Sequence, residues 1–168
     1  MTDLSKIRNF SITGPRGPIP LRLYRPEQAA AGSPLVVYYH GGGWVLGDLG
    51  SGDAMLRHLA NRTGVCFLSV EYRLAPEHKF PAGLEDALCA FDYAVAHASE
   101  LGCDPALVGV AGESAGGNIA AVLSQITARR ASTTLTTNRS SRTSAMSALI
   151  AARPLTRAPR KRGCARSV

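Results

Sequence analysis

The chain has 168 residues, a formal net charge of +7 and four cysteines, which is enough sequence for one domain with a hydrophobic core. Its 12 acidic residues all precede residue 128, whereas ten of its 19 basic residues follow it, so the first 127 residues lack the basic surface of a nucleic-acid-binding domain. We therefore expect no specific nucleic-acid partner, and no membrane span, because no apolar run reaches ~18–20 residues. We expect no metal site, because the cysteines lack the spacing of metal ligands. We expect a cytoplasmic location, because the N-terminus lacks a secretory signal.

The strand-like segments come first in the chain and then alternate with helices. Residues 7–13 and 19–24 alternate apolar and polar side chains around a turn rich in Gly and Pro, which predicts a β-hairpin. The unbroken apolar runs at 35–39 and 65–70 predict buried strands, and the apolar run at 107–111 predicts a third strand. We expect these later strands to be parallel, because right-handed crossovers through helices connect them.

Three helices are predicted between and after those strands. The first covers 51–62, with Ser51 or Asp53 as its N-cap and Gly64 at its end. The second covers 83–101, and the third runs from 118 to 127.

The first chemical motif is Gly112-Glu113-Ser114-Ala115-Gly116, which follows the apolar run 107–111 and precedes a helix. A strand, a tight turn and a helix with serine at the apex are typical of a nucleophile elbow, in which only small residues fit two positions before and after the serine. A chance match in a chain rich in Gly and Ser is the alternative.

The second motif is His40-Gly41-Gly42-Gly43-Trp44, which follows the apolar run 35–39. A glycine triplet at a strand end lets bare backbone N–H groups approach a ligand. Two such motifs in this order, each at a strand's carboxyl end, favour an acyl-transfer site with an oxyanion hole.

Together with the sequence EYRLAPEH at 71–78 and FPA at 80–82, these motifs make the chain resemble the hormone-sensitive-lipase-like branch of the α/β-hydrolase family over roughly residues 7–127. The resemblance implies an α/β fold class: the N-terminal part of an α/β-hydrolase fold, in which an antiparallel hairpin leads into a mostly parallel sheet with flanking helices.

The resemblance also implies a serine carboxylic-ester hydrolase (esterase or lipase) that acts on small-molecule short acyl esters without a cofactor. Ser114 would be the nucleophile, and the oxyanion hole would be formed by the N–H groups of Gly41, Gly42 and Ala115. Trp44 would line the acyl or alcohol pocket, with core packing as the alternative.

The partners of the serine are missing from the sequence. In this fold a carboxylate and then a histidine follow the serine, but no Asp, Glu or His follows Ser114. We expect the upstream candidates to have other roles: the oxyanion loop for His40, packing or hydrogen bonding for His78, solvent exposure for His58 and His97, anchoring of the elbow for Glu113, and a surface or capping role for Asp86. Activity is therefore expected to be impaired, and the alternative is a non-catalytic remnant or binding protein.

Two further expectations concern the end of the chain. Relatives of this branch are about twice as long, so the resemblance implies a partial hydrolase domain at 1–127 that is truncated after the elbow, followed by a basic, low-complexity tail at 128–168. Disorder is the default for that tail, with an out-of-frame sequence, an anionic-surface binder and an inert segment as its three interpretations. The strand at 107–111 would then be an exposed sheet edge that favours self-association.

Overall fold

The computed structural model describes residues 5–137, and these form one five-stranded sheet flanked by three helices. The elements in chain order are β1 (Ser5–Gly14), β2 (Gly17–Pro26), β3 (Ser33–Tyr39), α1 (Asp53–Thr63), β4 (Cys66–Val70), α2 (Ala82–Ala96), β5 (Cys103–Gly112) and α3 (Ala115–Thr137). The predicted α/β class is confirmed, as are the hairpin and the three later strands.

The strands lie in the order β1-β2-β4-β3-β5. β1 pairs antiparallel with β2 and β2 pairs antiparallel with β4, whereas β3 is parallel to both of its neighbours, β4 and β5. Because β3, β4 and β5 are parallel, their carboxyl ends meet at one edge of the sheet. The two sequence motifs follow β3 and β5, so that edge carries the candidate chemistry.

The core has one cluster on each face of the sheet. Adjacent strand residues point to opposite faces, so Tyr39 belongs to the larger cluster beneath α2 and α3, and Tyr38 to the smaller cluster beneath α1. β4 is buried at every position, as its unbroken apolar sequence predicts.

Several helix ends differ from prediction. α1 has Gly52 at its N-cap with no side-chain cap, because the Ser51 hydroxyl bonds to Asp48 instead and Asp53 pairs with Arg22. Gly64 ends α1 in the left-handed conformation, as predicted. α2 ends at Ala96 rather than residue 101.

Turns follow α2, although Ala98 and Leu101 remain buried. The apolar period therefore continues past the end of the helix. α3 begins at Ala115 and extends to Thr137, beyond the predicted end at 127. From residue 138 onward the predicted tail lies outside the described residues. Within residues 5–137, no helix has the length and apolar character needed to cross a bilayer.

Candidate active site

Ser114 lies at the apex of a tight turn between β5 and α3. β5 ends at Gly112 and α3 begins at Ala115, so only Glu113 and Ser114 connect them. Ser114 is exposed and has φ of 51°, a left-handed conformation that costs a residue with a side chain about 1–2 kcal/mol. The turn is closed by hydrogen bonds from Gly116 N to Glu113 O (2.8 Å) and from Asn118 N to Ser114 O (3.1 Å).

The glycines of this turn are required by close backbone contact. A Cβ at Gly116 would overlap the carbonyl oxygen of Tyr39 and lie 2.6 Å from that of His40. A Cβ at Gly112 would overlap the carbonyl oxygen of Gly116. The first turn of α3 is therefore packed directly on the end of β3, and this contact fixes the serine beside the glycine triplet.

The glycine triplet passes next to the serine. A Cβ added at Gly41 would lie 3.5 Å from Ser114 Cβ and 3.2 Å from Glu113 O. Gly42 has φ of 122°, and a side chain there would overlap the carbonyl of Leu46. The N–H of Leu46 donates to Gly42 O at 2.9 Å, which closes the loop on itself. We call residues 40–47 the oxyanion loop.

The start of α3 adds a favourable electrostatic feature. Ala115 is buried at the first position of a 23-residue helix, and the N-terminus of a helix carries a partial positive charge with unpaired N–H groups. The N-terminus of α3 therefore places a partial positive charge next to Ser114.

Trp44 is the second described non-glycine residue with positive φ, at 73°. Its side chain is 38% exposed and is followed by the exposed Val45 and Leu46. Core packing, the alternative for Trp44, does not match this exposure. Gly43, with φ of 62°, completes the sharp bend between the glycines and the indole.

His40 is buried within the loop rather than directed at solvent. It is 1% exposed, its Nδ1 lies 2.7 Å from Gly41 O, and its ring stacks on Tyr72 at 4.4 Å between centroids. Its Nε2 has no hydrogen-bonding partner within the described part of the chain. His40 thus has a structural place in the loop, as expected.

The remaining histidines lie in other surroundings. His58 is exposed, as expected, and His78 is exposed too, so the packing role expected for His78 is wrong. His97 is half-buried beside Tyr93 and lies 3.0 Å from Glu100, so the solvent-facing prediction for His97 is only partly right. No histidine or carboxylate among residues 5–137 hydrogen-bonds to Ser114. In that part of the chain the structure brings together a serine and candidate oxyanion donors without a general base.

Glu113 is exposed beside the serine. Burial raises the pKa of Tyr38 in β3, and the negative charge of Glu113 adds to that rise. Glu113 O accepts the elbow hydrogen bond from Gly116, so its backbone anchors the turn as predicted.

Asp86 is the residue that sequence reasoning placed wrongly. It is 1% exposed, not on the surface, and it accepts hydrogen bonds from the backbone N–H of Arg73 (3.0 Å), from Arg73 Nε (2.7 Å) and from Arg73 Nη2 (2.8 Å). The signal that could have revealed it is its position on α2, between the buried small residues Gly83, Ala87 and Ala90. A carboxylate on the buried face of a helix needs a charged partner.

Comparison with known proteins identifies relatives of the same kind. A sequence profile described as alpha/beta hydrolase fold matches residues 36–165. The carboxylic ester hydrolase LipN of Mycobacterium tuberculosis is 51% identical over 121 residues, which cover 71% of this chain and 32% of that protein. The ethyl acetate hydrolase of Pseudomonas putida is 43% identical over 129 residues, covering 74% of this chain and 40% of that protein.

Solved structures agree with the sequence comparison. The hyperthermophilic esterase of the archaeon Pyrobaculum calidifontis superposes with a TM-score of 0.72 at 47% identity, over 75% of this chain and 40% of that chain. The chain thus spans about a third of the length of the curated relatives that it matches.

Proposed function

The chain belongs to the α/β-hydrolase family, in its hormone-sensitive-lipase-like branch, and from this premise we propose that it is a serine carboxylic-ester hydrolase of short acyl esters. Ser114 is the nucleophile, and the N–H groups of Gly41, Gly42 and Ala115 are the oxyanion donors. The observation that carries the proposal is the left-handed Ser114, which stands exposed beside the oxyanion loop. Named relatives are carboxylesterases, which supports the same reaction here.

The chemistry follows from this geometry. The Ser114 hydroxyl oxygen forms a bond to the acyl carbon of the ester while its proton passes to a base. The carbonyl oxygen becomes an oxyanion that the backbone N–H groups stabilise, by about 3–4 kcal/mol per donor. The alkoxide then leaves with a proton as the alcohol, and water hydrolyses the acyl-serine to release the acid and free serine.

The rate of this reaction depends on the base. Because no Asp, Glu or His follows Ser114 in the sequence, we expect activity far below that of a complete triad. Oxyanion stabilisation and substrate binding alone are worth of order 10³-fold over water. The proposal is therefore an impaired esterase, and a non-catalytic binding protein is the rival outcome.

The test is a paired assay on the purified protein. Hydrolysis of a short-chain nitrophenyl ester and covalent labelling by a fluorophosphonate probe are measured for the native chain, Ser114→Ala and Ser124→Ala. Ser124 is the matched control, because it lies on α3 and its hydroxyl bonds only locally, to Ala120 O. We expect hydrolysis and labelling in the native chain and Ser124→Ala, and neither in Ser114→Ala. Folded native protein that is not labelled would contradict the proposal and favour the non-catalytic alternative.

We further propose self-association through β5. β5 is at one end of the strand order within the described residues, and from Pro105 to Gly112 it carries no charge. Leu107 on this strand is 42% exposed. An uncharged strand edge is a template for pairing with another chain, and we infer that a second copy of this chain occupies it.

A further inference from the structure

The oxyanion loop needs support from outside itself. It contains four glycines, of which Gly42, Gly43 and Gly47 have positive φ, and glycine loses more conformational entropy on ordering than any other residue. Backbone N–H groups stabilise an oxyanion only when they are held in place before the reaction. The hydrogen bonds within the loop, from Val45 N and Leu46 N to Gly42 O, close a turn but do not attach it to the rest of the protein.

Two hydrogen bonds join the loop to residues 72–75, in addition to its packing against the serine turn. The Tyr72 hydroxyl donates to His40 O at 2.7 Å, and its ring stacks on the His40 ring. The N–H of Ala75 donates to Trp44 O at 2.8 Å. Burial raises the pKa of Tyr72 to about 12, so its hydroxyl remains a donor at any ordinary pH. One attachment lies at the start of the loop and the other just after the glycine triplet.

Arg73 lies between these two attachments, and Asp86 holds it. The three hydrogen bonds from Arg73 to Asp86 include one from its backbone N–H, so the carboxylate fixes the main chain as well as the side chain. Arg73 Nη2 also donates to Ala82 O at 3.3 Å. Because Asp86 is buried on α2, these bonds join residues 72–75 to a helix that packs on the sheet.

We infer that Asp86 and Arg73 are positioning residues for the reaction at Ser114, because they fix the segment that holds the oxyanion loop beside the serine. Neither residue touches the serine or the oxyanion position. Their effect passes through Tyr72 and Ala75 to His40 and Trp44. The catalytic part of this inference rests on the proposed esterase function, whereas the ordering of the loop does not.

The experiment is peptide-resolved hydrogen–deuterium exchange on the full chain, with the variants Asp86→Asn and Arg73→Lys. Asparagine keeps the size of the carboxylate but removes its charge, and lysine keeps the positive charge but not the planar fork. The matched control is Asp92→Asn. Asp92 lies on α2, like Asp86, but it forms an exposed ion pair with Arg130 of α3, so its loss should have little effect.

In Asp86→Asn, we expect exchange in residues 40–48 and 72–76 to be faster by about tenfold, because one hydrogen bond to a charged group changes a local opening equilibrium by that order. Exchange in β5 should be unchanged. Arg73→Lys should give a smaller acceleration at the same two segments, and Asp92→Asn should match the native chain. If Asp86→Asn is recovered unfolded, Arg73→Lys decides by the same comparison.

In the exchange experiment, two results would overturn the inference. One is unchanged exchange at 40–48 in Asp86→Asn. The other is an equal acceleration throughout the sheet, which would mean a purely structural role. Ester hydrolysis provides the second measurement. We expect Asp86→Asn to lower kcat with KM nearly unchanged, because only transition-state stabilisation is lost, and Arg73→Lys to retain an intermediate kcat. A rise in KM without any loss of kcat in Asp86→Asn would also contradict the inference. Failure of the native chain to label at Ser114 would refute the esterase proposal and leave the exchange comparison valid.

Discussion

Gly116→Ala should destabilise the protein strongly, because the new methyl group has no space. Its Cβ would overlap the Tyr39 carbonyl and lie 2.6 Å from His40 O, whereas ordinary contacts are about 3.5 Å or longer. Both neighbours are backbone atoms at the end of β3, so no rotamer change relieves the overlap, and α3 must move by about 1 Å or the strand must bend. Overpacking of this kind costs about 3 kcal/mol at the upper end of the usual range.

The measurement is thermal unfolding by circular dichroism. A loss of about 3 kcal/mol lowers Tm by roughly 10 °C for a domain of this size. The matched control is Gly109→Ala on β5, where a Cβ would meet nothing within 4 Å, and we expect its Tm to stay within about 2 °C of the native value. Equal Tm values for the two variants would refute the reasoning, because α3 would then not be packed on β3 through Gly116.

Three further outcomes are expected. Gly42→Ala should slow fluorophosphonate labelling by about 10²-fold or more, which is the usual effect of losing one oxyanion donor. The reason is that its Cβ would overlap Leu46 O at a φ of 122°. An unchanged labelling rate would exclude Gly42 from the site. Burial, together with the hydrogen bond to Asp53, raises the pKa of Tyr24 to about 12. The folded state therefore keeps this proton at a pH at which the unfolded state has lost it. The stabilisation from Tyr24 should be complete below about pH 10, and the free energy of unfolding should fall as pH rises toward 12. Tyr24→Phe should reduce that fall in urea unfolding midpoints, and an identical pH dependence would contradict the assignment. Leu107→Lys should raise the monomer fraction in sedimentation velocity, because a charge on an exposed edge opposes strand pairing, whereas an unchanged distribution would exclude the β5 edge.

Local signals in the sequence were sufficient for the elements and for the core of the candidate site. The hairpin, the buried strands and the two glycine motifs each depend on residues that are close together in the chain. Ser114 and the glycine triplet could be expected to meet, because parallel strands bring their carboxyl ends to one edge. The roles assigned to Gly41, Gly42 and Ala115 stay predictions until labelling is measured.

The predicted end of α2 and the predicted N-cap of α1 were wrong for a shared reason. Apolar spacing reports burial, and Leu101 is buried in the turns that follow α2 just as it would be in a helix. Capping preference reports which side chains can cap a helix, but the Ser51 hydroxyl is used by Asp48. In both places a competing tertiary or loop contact decided the local conformation.

By itself the sequence determined that each glycine motif follows a strand, that the serine lies in a strained turn and that glycine is needed beside it. Steric and periodic constraints act between near neighbours in the chain, which is why the sequence was enough for these features. Only the tertiary structure decided that Asp86 is buried and that Arg73, thirteen residues earlier in the sequence, neutralises it. The physical reason is that the burial of a charge depends on which distant segments pack around it, and the free energy of that burial is favourable only once its partner is in place.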